Sequence, residues 1–178
     1  MLLTMFFVED TIKQILQQFE KIPVERRQIL TKLSTFINQH AQANLIFICT
    51  HNSRRSHMAQ IWAETAASYF NIPNVYSYSG GTEATAFNPR AVHALRSIGF
   101  KIDQTSVDSN PHYVIRYSDD QPALEAFSKK YDDARNPQRD FAAIMTCTHA
   151  DENCPVVVGA SARISLPYDD PKISTELI

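Results

Sequence analysis

The chain has 178 residues, a formal net charge of −2, a pI near 6.3 and 44% apolar residues. That is enough apolar content for one packed domain plus an extension, and the mild acidity argues against nucleic acid as the main partner. The apolar start, Met1 to Val8, has no basic leader and no small-residue cleavage site, and is too short to span a membrane. A cytoplasmic location is therefore expected, which suits reactive thiols.

Residues 1–43 read as a helical extension. Val8, Ile12, Ile15, Leu16 and Phe19 recur at helical spacing, and Pro23 opens a second helix carrying Leu30, Leu33, Phe36 and Ile37. A helical hairpin follows, whose apolar stripes either cap the main domain or form a homodimer contact. Residues 44–178 then alternate strand and helix. Leu45–Cys49 is a strand, and Ser56–Phe70 a helix with Met58, Ile61, Trp62, Thr65, Ala66 and Tyr69 on one side. Val75–Ser79 is a strand, Pro89–Ser97 a helix ended by Gly99. Phe141–Cys147 and Ala162–Ser165 are two further strands. Such alternation predicts an α/β fold with a parallel sheet and ligands at the carboxyl ends of its strands. A stretch at about 110–140, an insertion only when set against the family resembled below, is punctuated by Asn110-Pro111, Gln121-Pro122 and Asn136-Pro137, with Ala123–Tyr131 between them reading as a short helix. Inserts of this kind serve as lids, as partner surfaces or as neutral decoration.

The most telling stretch is Cys49-Thr50-His51-Asn52-Ser53-Arg54-Arg55-Ser56. A cysteine leaves a buried strand, a short polar loop turns, and an arginine opens a helix. Amides of the loop and of the helix N-terminus can surround a tetrahedral oxyanion. Arg55 can grip two of its oxygens as a fork. The same positive surroundings favour the thiolate, which is the nucleophilic form. Asn52 tolerates a left-handed backbone, and Ser56 can donate a hydrogen bond to the sulfur. Taken alone, Cys49 could also read as an inert buried thiol, a reading its flanking strand and helix weigh against.

Four pieces in order carry a resemblance: Ile48 to Ala59, Ser79-Gly80-Gly81-Thr82-Glu83 with Asn88 to Asp103, Thr146 to Pro155, and Tyr168-Asp169-Asp170-Pro171. Over roughly residues 44–172 the sequence is similar to the low-molecular-weight protein tyrosine phosphatase superfamily, and more narrowly to the thioredoxin-coupled arsenate reductases. The resemblance implies a three-layer fold, with a four-stranded parallel sheet and helices on both faces. It implies an oxyanion loop of Thr50, His51, Asn52, Ser53, Arg54, Arg55 and Ser56 around the nucleophile Cys49. It further implies a redox pair, Cys147 and Cys154, relaying a disulfide to a thioredoxin-like reductant, and Asp170 as general acid, with Asp169 the nearer alternative. Arsenate is the implied substrate. The alternative is a phosphate ester, hydrolysed through a Cys49 phosphoenzyme with Asp170 as acid. On the residues alone, Cys147 and Cys154 could also be plain buried thiols, or join His149 in a zinc site.

The sequence departs from that pattern in places. His51 stands where glycine is usual, either crowding the anion or adding a donor. Arg54 replaces a cysteine outside the relay and adds charge near the mouth, or is simply solvated. Gln60 stands where some reductases have a glutamate that helps hold potassium, so no metal is expected, and no other cofactor is implied. After Pro171 only a turn or two of a final helix is expected.

Overall fold

The computed structural model describes residues 5–171. The expected short helix after Pro171 lies outside them. Four strands form the main sheet in the order β2-β1-β6-β7, all parallel: β1 (Ala43–Cys49), β2 (Val75–Gly81), β6 (Phe141–Met145) and β7 (Ala160–Ser165). The two central strands, β1 and β6, are apolar almost throughout because both their faces are covered. Chain connections leave β1 first to one side and later to the other. The crevice where they diverge, between β1 and β6, is where ligands bind in open α/β sheets. Cys49 ends β1, and Cys147 lies two residues past the end of β6.

On one face, Leu45, Phe47, Ile144 and Ile164 pack against α2 (Val24–Gln39) and α3 (Arg55–Tyr69). On the other, Ile46, Ile48, Ala143 and Met145 meet Ala150 of α5 (Thr148–Asn153), Val157 and Tyr131 of the insertion. The expected three-layer α/β architecture is therefore present. The helix α3 has two buried faces. Ile61 and Trp62 face a third cluster, as the spacing of bulky residues predicts, whereas Ala59, Ala63 and Ala67 face the sheet. Small side chains there let the helix axis lie close to the strands.

The third cluster joins α3 to α4 (Pro89–Ser97) and to a second sheet of antiparallel strands, β3 (Lys101–Gln104), β4 (Tyr113–Arg116) and β5 (Leu124–Ala126). The helix α1 (Glu9–Leu16) belongs here through Val8 and Ile12, while Phe36 of α2 is buried in the sheet-facing cluster. The two N-terminal helices, joined by a 3₁₀ turn at Phe19–Lys21, thus serve different cores. The predicted helix over 123–131 is not formed. Its first part is β5, paired with β4 at Val114↔Glu125, and the rest is extended chain. A nine-residue helix is marginal alone, and here the free edge of β4 supplies better backbone partners.

Pro89 sits at the first position of α4, with Asn88 capping it: the side-chain oxygen accepts from the Arg90 amide at 3.0 Å. Gly99, at φ +113°, turns the chain out of the helix as expected.

Candidate active site

The loop between β1 and α3 is built from outward-facing carbonyls. The carbonyl of Cys49 accepts from the Thr82 amide (3.1 Å), that of Thr50 from the Glu83 amide (2.8 Å), and that of Ser53 from the Asn88 amide (2.9 Å). The His51 carbonyl accepts from two hydroxyls, Thr85 Oγ1 (3.0 Å) and Ser128 Oγ (3.1 Å). With carbonyls held outward, the loop amides face its concave side. The N-terminus of α3 has no side-chain cap, so the amides of its first turn remain available to an anion.

Asn52 fixes the turn. It is fully buried, with φ +44°, in the left-handed region. Its Oδ1 accepts from the Lys129 amide (2.8 Å), and its Nδ2 donates to Ser56 Oγ (2.8 Å). Because Ser56 Oγ accepts that bond, its single proton is free for Cys49 Sγ, 3.1 Å away. A hydroxyl donating to sulfur favours the thiolate. Gly81 lets β2 approach this loop: a Cβ there would lie 2.7 Å from the Asn52 nitrogen and 2.8 Å from the Thr50 oxygen.

Arg55 leaves the first turn of α3 toward the Asp-Pro segment. Its Nη1 donates to the Tyr168 carbonyl (3.0 Å) and its Nη2 to Asp170 Oδ2 (3.4 Å). Arg54 pairs with the other oxygen of Asp170 (3.6 Å). Arg54 is thus an ion-pair partner and only about a quarter exposed, not a freely solvated side chain. The structure brings Asp170, rather than Asp169, to both arginines. His51 points outward, with Nε2 3.6 Å from Glu83 Oε2 and over half of its side chain exposed. Only its backbone contributes to the concave side.

Thr50 joins this loop to the second thiol. Its Oγ1 lies 3.5 Å from Cys147 Sγ and 3.2 Å from His149 Nδ1. Cys147 occupies the N-cap of α5, where its sulfur accepts from the Ala150 amide at 3.4 Å. It is buried, whereas Cys154, at the other end of α5, is partly exposed, and Val156 and Val158 beside it are about three-quarters exposed. All three cysteines are free thiols. Among the described residues no group of three or more His, Cys, Asp or Glu side chains converges as a metal site requires.

Sequence reasoning missed the residues that buttress the loop from the insertion, Ser128 and Lys129, and missed His57. His57 stacks on Phe87 (centroids 4.1 Å apart) and shares a hydrogen bond of 3.2 Å with Ser79 Oγ. Burial chiefly, and then the charge of Lys129, push its pKa down to about 3, so it is neutral at physiological pH. Nothing local in the sequence marks these positions, since Lys129 meets Asn52 across 77 residues of chain.

A four-stranded parallel α/β sheet with a cysteine heading the strand-to-helix loop at its carboxyl edge fits the low-molecular-weight phosphatase-like class. No family model matches the chain. It is 32% identical over 130 residues to an arsenate reductase of Brevibacillus brevis, a match covering 71% of this chain and 75% of that protein. It is 29% identical over 128 residues to arsenate reductase 2 of Staphylococcus saprophyticus, covering 71% and 77% respectively. An arsenate reductase of Staphylococcus aureus matches at 28% over 128 residues, with the same coverage. The chain belongs to the arsenate reductase family of this fold.

Proposed function

We propose that the protein reduces arsenate, with Cys49 as nucleophile and Cys147 and Cys154 as the redox relay. The thiolate of Cys49 attacks arsenic(V) held by the loop amides and Arg55. A proton from Asp170 lets one oxygen leave as water, and a sulfur–arsenic bond remains. The thiolate of Cys147 then attacks the Cys49 sulfur. The sulfur–arsenic bond breaks with its electron pair going to arsenic, which departs as arsenite, and a Cys49–Cys147 disulfide forms. Cys154 attacks Cys147, freeing Cys49 and leaving Cys147–Cys154 for an external dithiol protein of the thioredoxin kind. Two thiols are oxidised for each arsenic reduced.

The observation that carries this reading is the contact of Thr50 Oγ1 with Cys147 Sγ. It seats a second buried thiol against the residue that follows the nucleophile. A phosphatase would not need that thiol there.

The last disulfide has a conformational cost. Cys147 and Cys154 flank a six-residue helix, and seven residues of α-helix span roughly 10 Å. Disulfide-bonded Cα atoms lie about 4.4–6.8 Å apart. The helix α5 must therefore unwind before its two flanking sulfurs can join. Free cysteines of this kind suit a reducing compartment such as the cytoplasm. No helix among the described residues is long and apolar enough to cross a membrane.

The test is arsenate-dependent NADPH oxidation with thioredoxin and thioredoxin reductase supplied. Sustained turnover that requires this protein is expected. A second reading, phosphate ester hydrolysis through Cys49, is favoured by the Asp170–Arg55 pair, which sets a carboxyl beside the loop. Hydrolysis of an aryl phosphate without arsenate turnover would select that reading.

A further inference from the structure

The insertion walls an open cleft of about 510 Å³ on the outer side of the oxyanion loop, lined by Asn110, His112 and the stretch from Phe127 to Arg135. Its volume is within the usual range for small-molecule sites. Lys129 is the unusual group in it. The residue is only 6% exposed, yet among the described residues its ammonium makes no hydrogen bond or ion pair. It packs on the face of Phe127, with Nζ 4.6 Å from the ring centroid. Its charge is offset only at a distance, by Asp133 and Glu125, so an anion seated on Nζ in the cleft would supply a direct partner.

Further cationic groups surround the same space. The Arg135 guanidinium lies 4.3 Å from the Phe127 centroid, and Lys130 also lines the cleft. His112 stacks on Phe127 at 4.2 Å, leaving Nε2 free while Nδ1 meets Glu125. Two carboxylates, Asp132 and Asp133, oppose these cations from the wall, but one oxygen of Asp133 accepts the Arg135 amide at 3.0 Å. Burial, the largest influence, lowers the Lys129 pKa to about 8 against the pull of Asp133 and Glu125, with Arg135 adding to the lowering. It therefore stays largely protonated at neutral pH.

We propose that this cleft is a second anion site, distinct from the Cys49 loop, that takes the phosphate group of a small phosphomonoester on Lys129 and Arg135. The cleft is larger than a single oxyanion needs, so an organic remainder would lie along the wall toward Asn110 and His112. The site depends on neither the arsenate chemistry nor the redox relay.

Calorimetric titration with glycerol phosphate and with inorganic phosphate tests it. The loop site is first disabled by Arg55→Ala. That variant should still bind one equivalent of glycerol phosphate, and adding Lys129→Met should weaken the binding at least about tenfold, the scale of one charge-assisted hydrogen bond. Methionine matches the lysine stem and suits a buried position, and thermal melting checks that the variant folds. Should it not, Arg135→Ala, at an exposed side chain, is expected to give a similar loss. Tighter binding of the ester than of the inorganic ion is expected, and equal or reversed order would overturn the organic-phosphate assignment. Absence of binding in Arg55→Ala, or binding indifferent to both Lys129→Met and Arg135→Ala, would overturn the site itself.

Discussion

The two ends of the proposed thiol relay are built in opposite ways. Around Cys49 the backbone is pinned from β2, α4 and the insertion, and Asn52 and Ser56 are wholly buried. Around Cys147 and Cys154 the chain is a six-residue helix tied mainly by Asp151, which pairs with Arg163 at 2.6 Å and accepts from Ser165 Oγ. Preorganised donors need rigidity, because their worth lies in not moving as charge develops. On the proposed relay a disulfide travels from a buried crevice to solvent, which needs the reverse, an element near the low end of local stability. The division of labour follows from those two demands.

The sharpest break in the comparison is Cys154→Ser. It should abolish sustained arsenate turnover while leaving a single release of arsenite per protein, with a Cys49–Cys147 disulfide detectable by mass spectrometry. Continued turnover in that variant would remove the mobile half of the scheme. Next in size, Asp170→Asn should lower the rate about 10²–10⁴-fold, the range for a lost acid, with anion affinity at the loop changed far less.

The rigid half can be tested by acid. His57 has its pKa lowered to about 3 in the folded protein from an ordinary 6.5. Its contribution to stability is therefore whole above pH 6.5 and is lost as pH falls toward 3. At most about 1.4 kcal/mol per pH unit is involved, or about 3 kcal/mol by pH 4. Replacing it by Gln should flatten the stability profile between pH 6.5 and 4, measured by denaturant titration. An unchanged slope would mean other groups set the acid sensitivity. Smallest, Ser56→Ala should slow alkylation of Cys49 about five- to tenfold, the scale of one lost hydrogen bond of ~1 kcal/mol. Ser56 would be a spectator if the rate held.

The same contrast governs what could be read from the chain. The strand, loop and helix around Cys49 were legible because they are contiguous: strand, cysteine, turn, arginine and helix fall within a dozen residues. The parallel sheet followed from the alternation of apolar runs and amphipathic segments. The antiparallel sheet was not legible, since β3, β4 and β5 are three or four residues each and owe their form to one another. The Ala123–Tyr131 segment carries helix-forming residues, and tertiary pairing overrode that preference. The alanine face of α3 was obscured by its bulkier neighbours. Ser128 and Lys129 gave no signal at all, because what matters at those positions is a hydroxyl and a backbone amide reaching far across the chain.

The bond from the Lys129 amide to Asn52 also orders events in time. The loop residues leave the ribosome 77 positions before the amide that completes their turn. Until the insertion has folded back and laid itself against β2, Asn52 lacks the partner for its Oδ1, and Ser56 is correspondingly less well held. The proposed nucleophile thus gains its finished surroundings only once the chain through Lys129 has folded. In a nascent or partly unfolded chain the Cys49 sulfur lacks the held Ser56 hydroxyl that lies 3.1 Å from it in the finished fold.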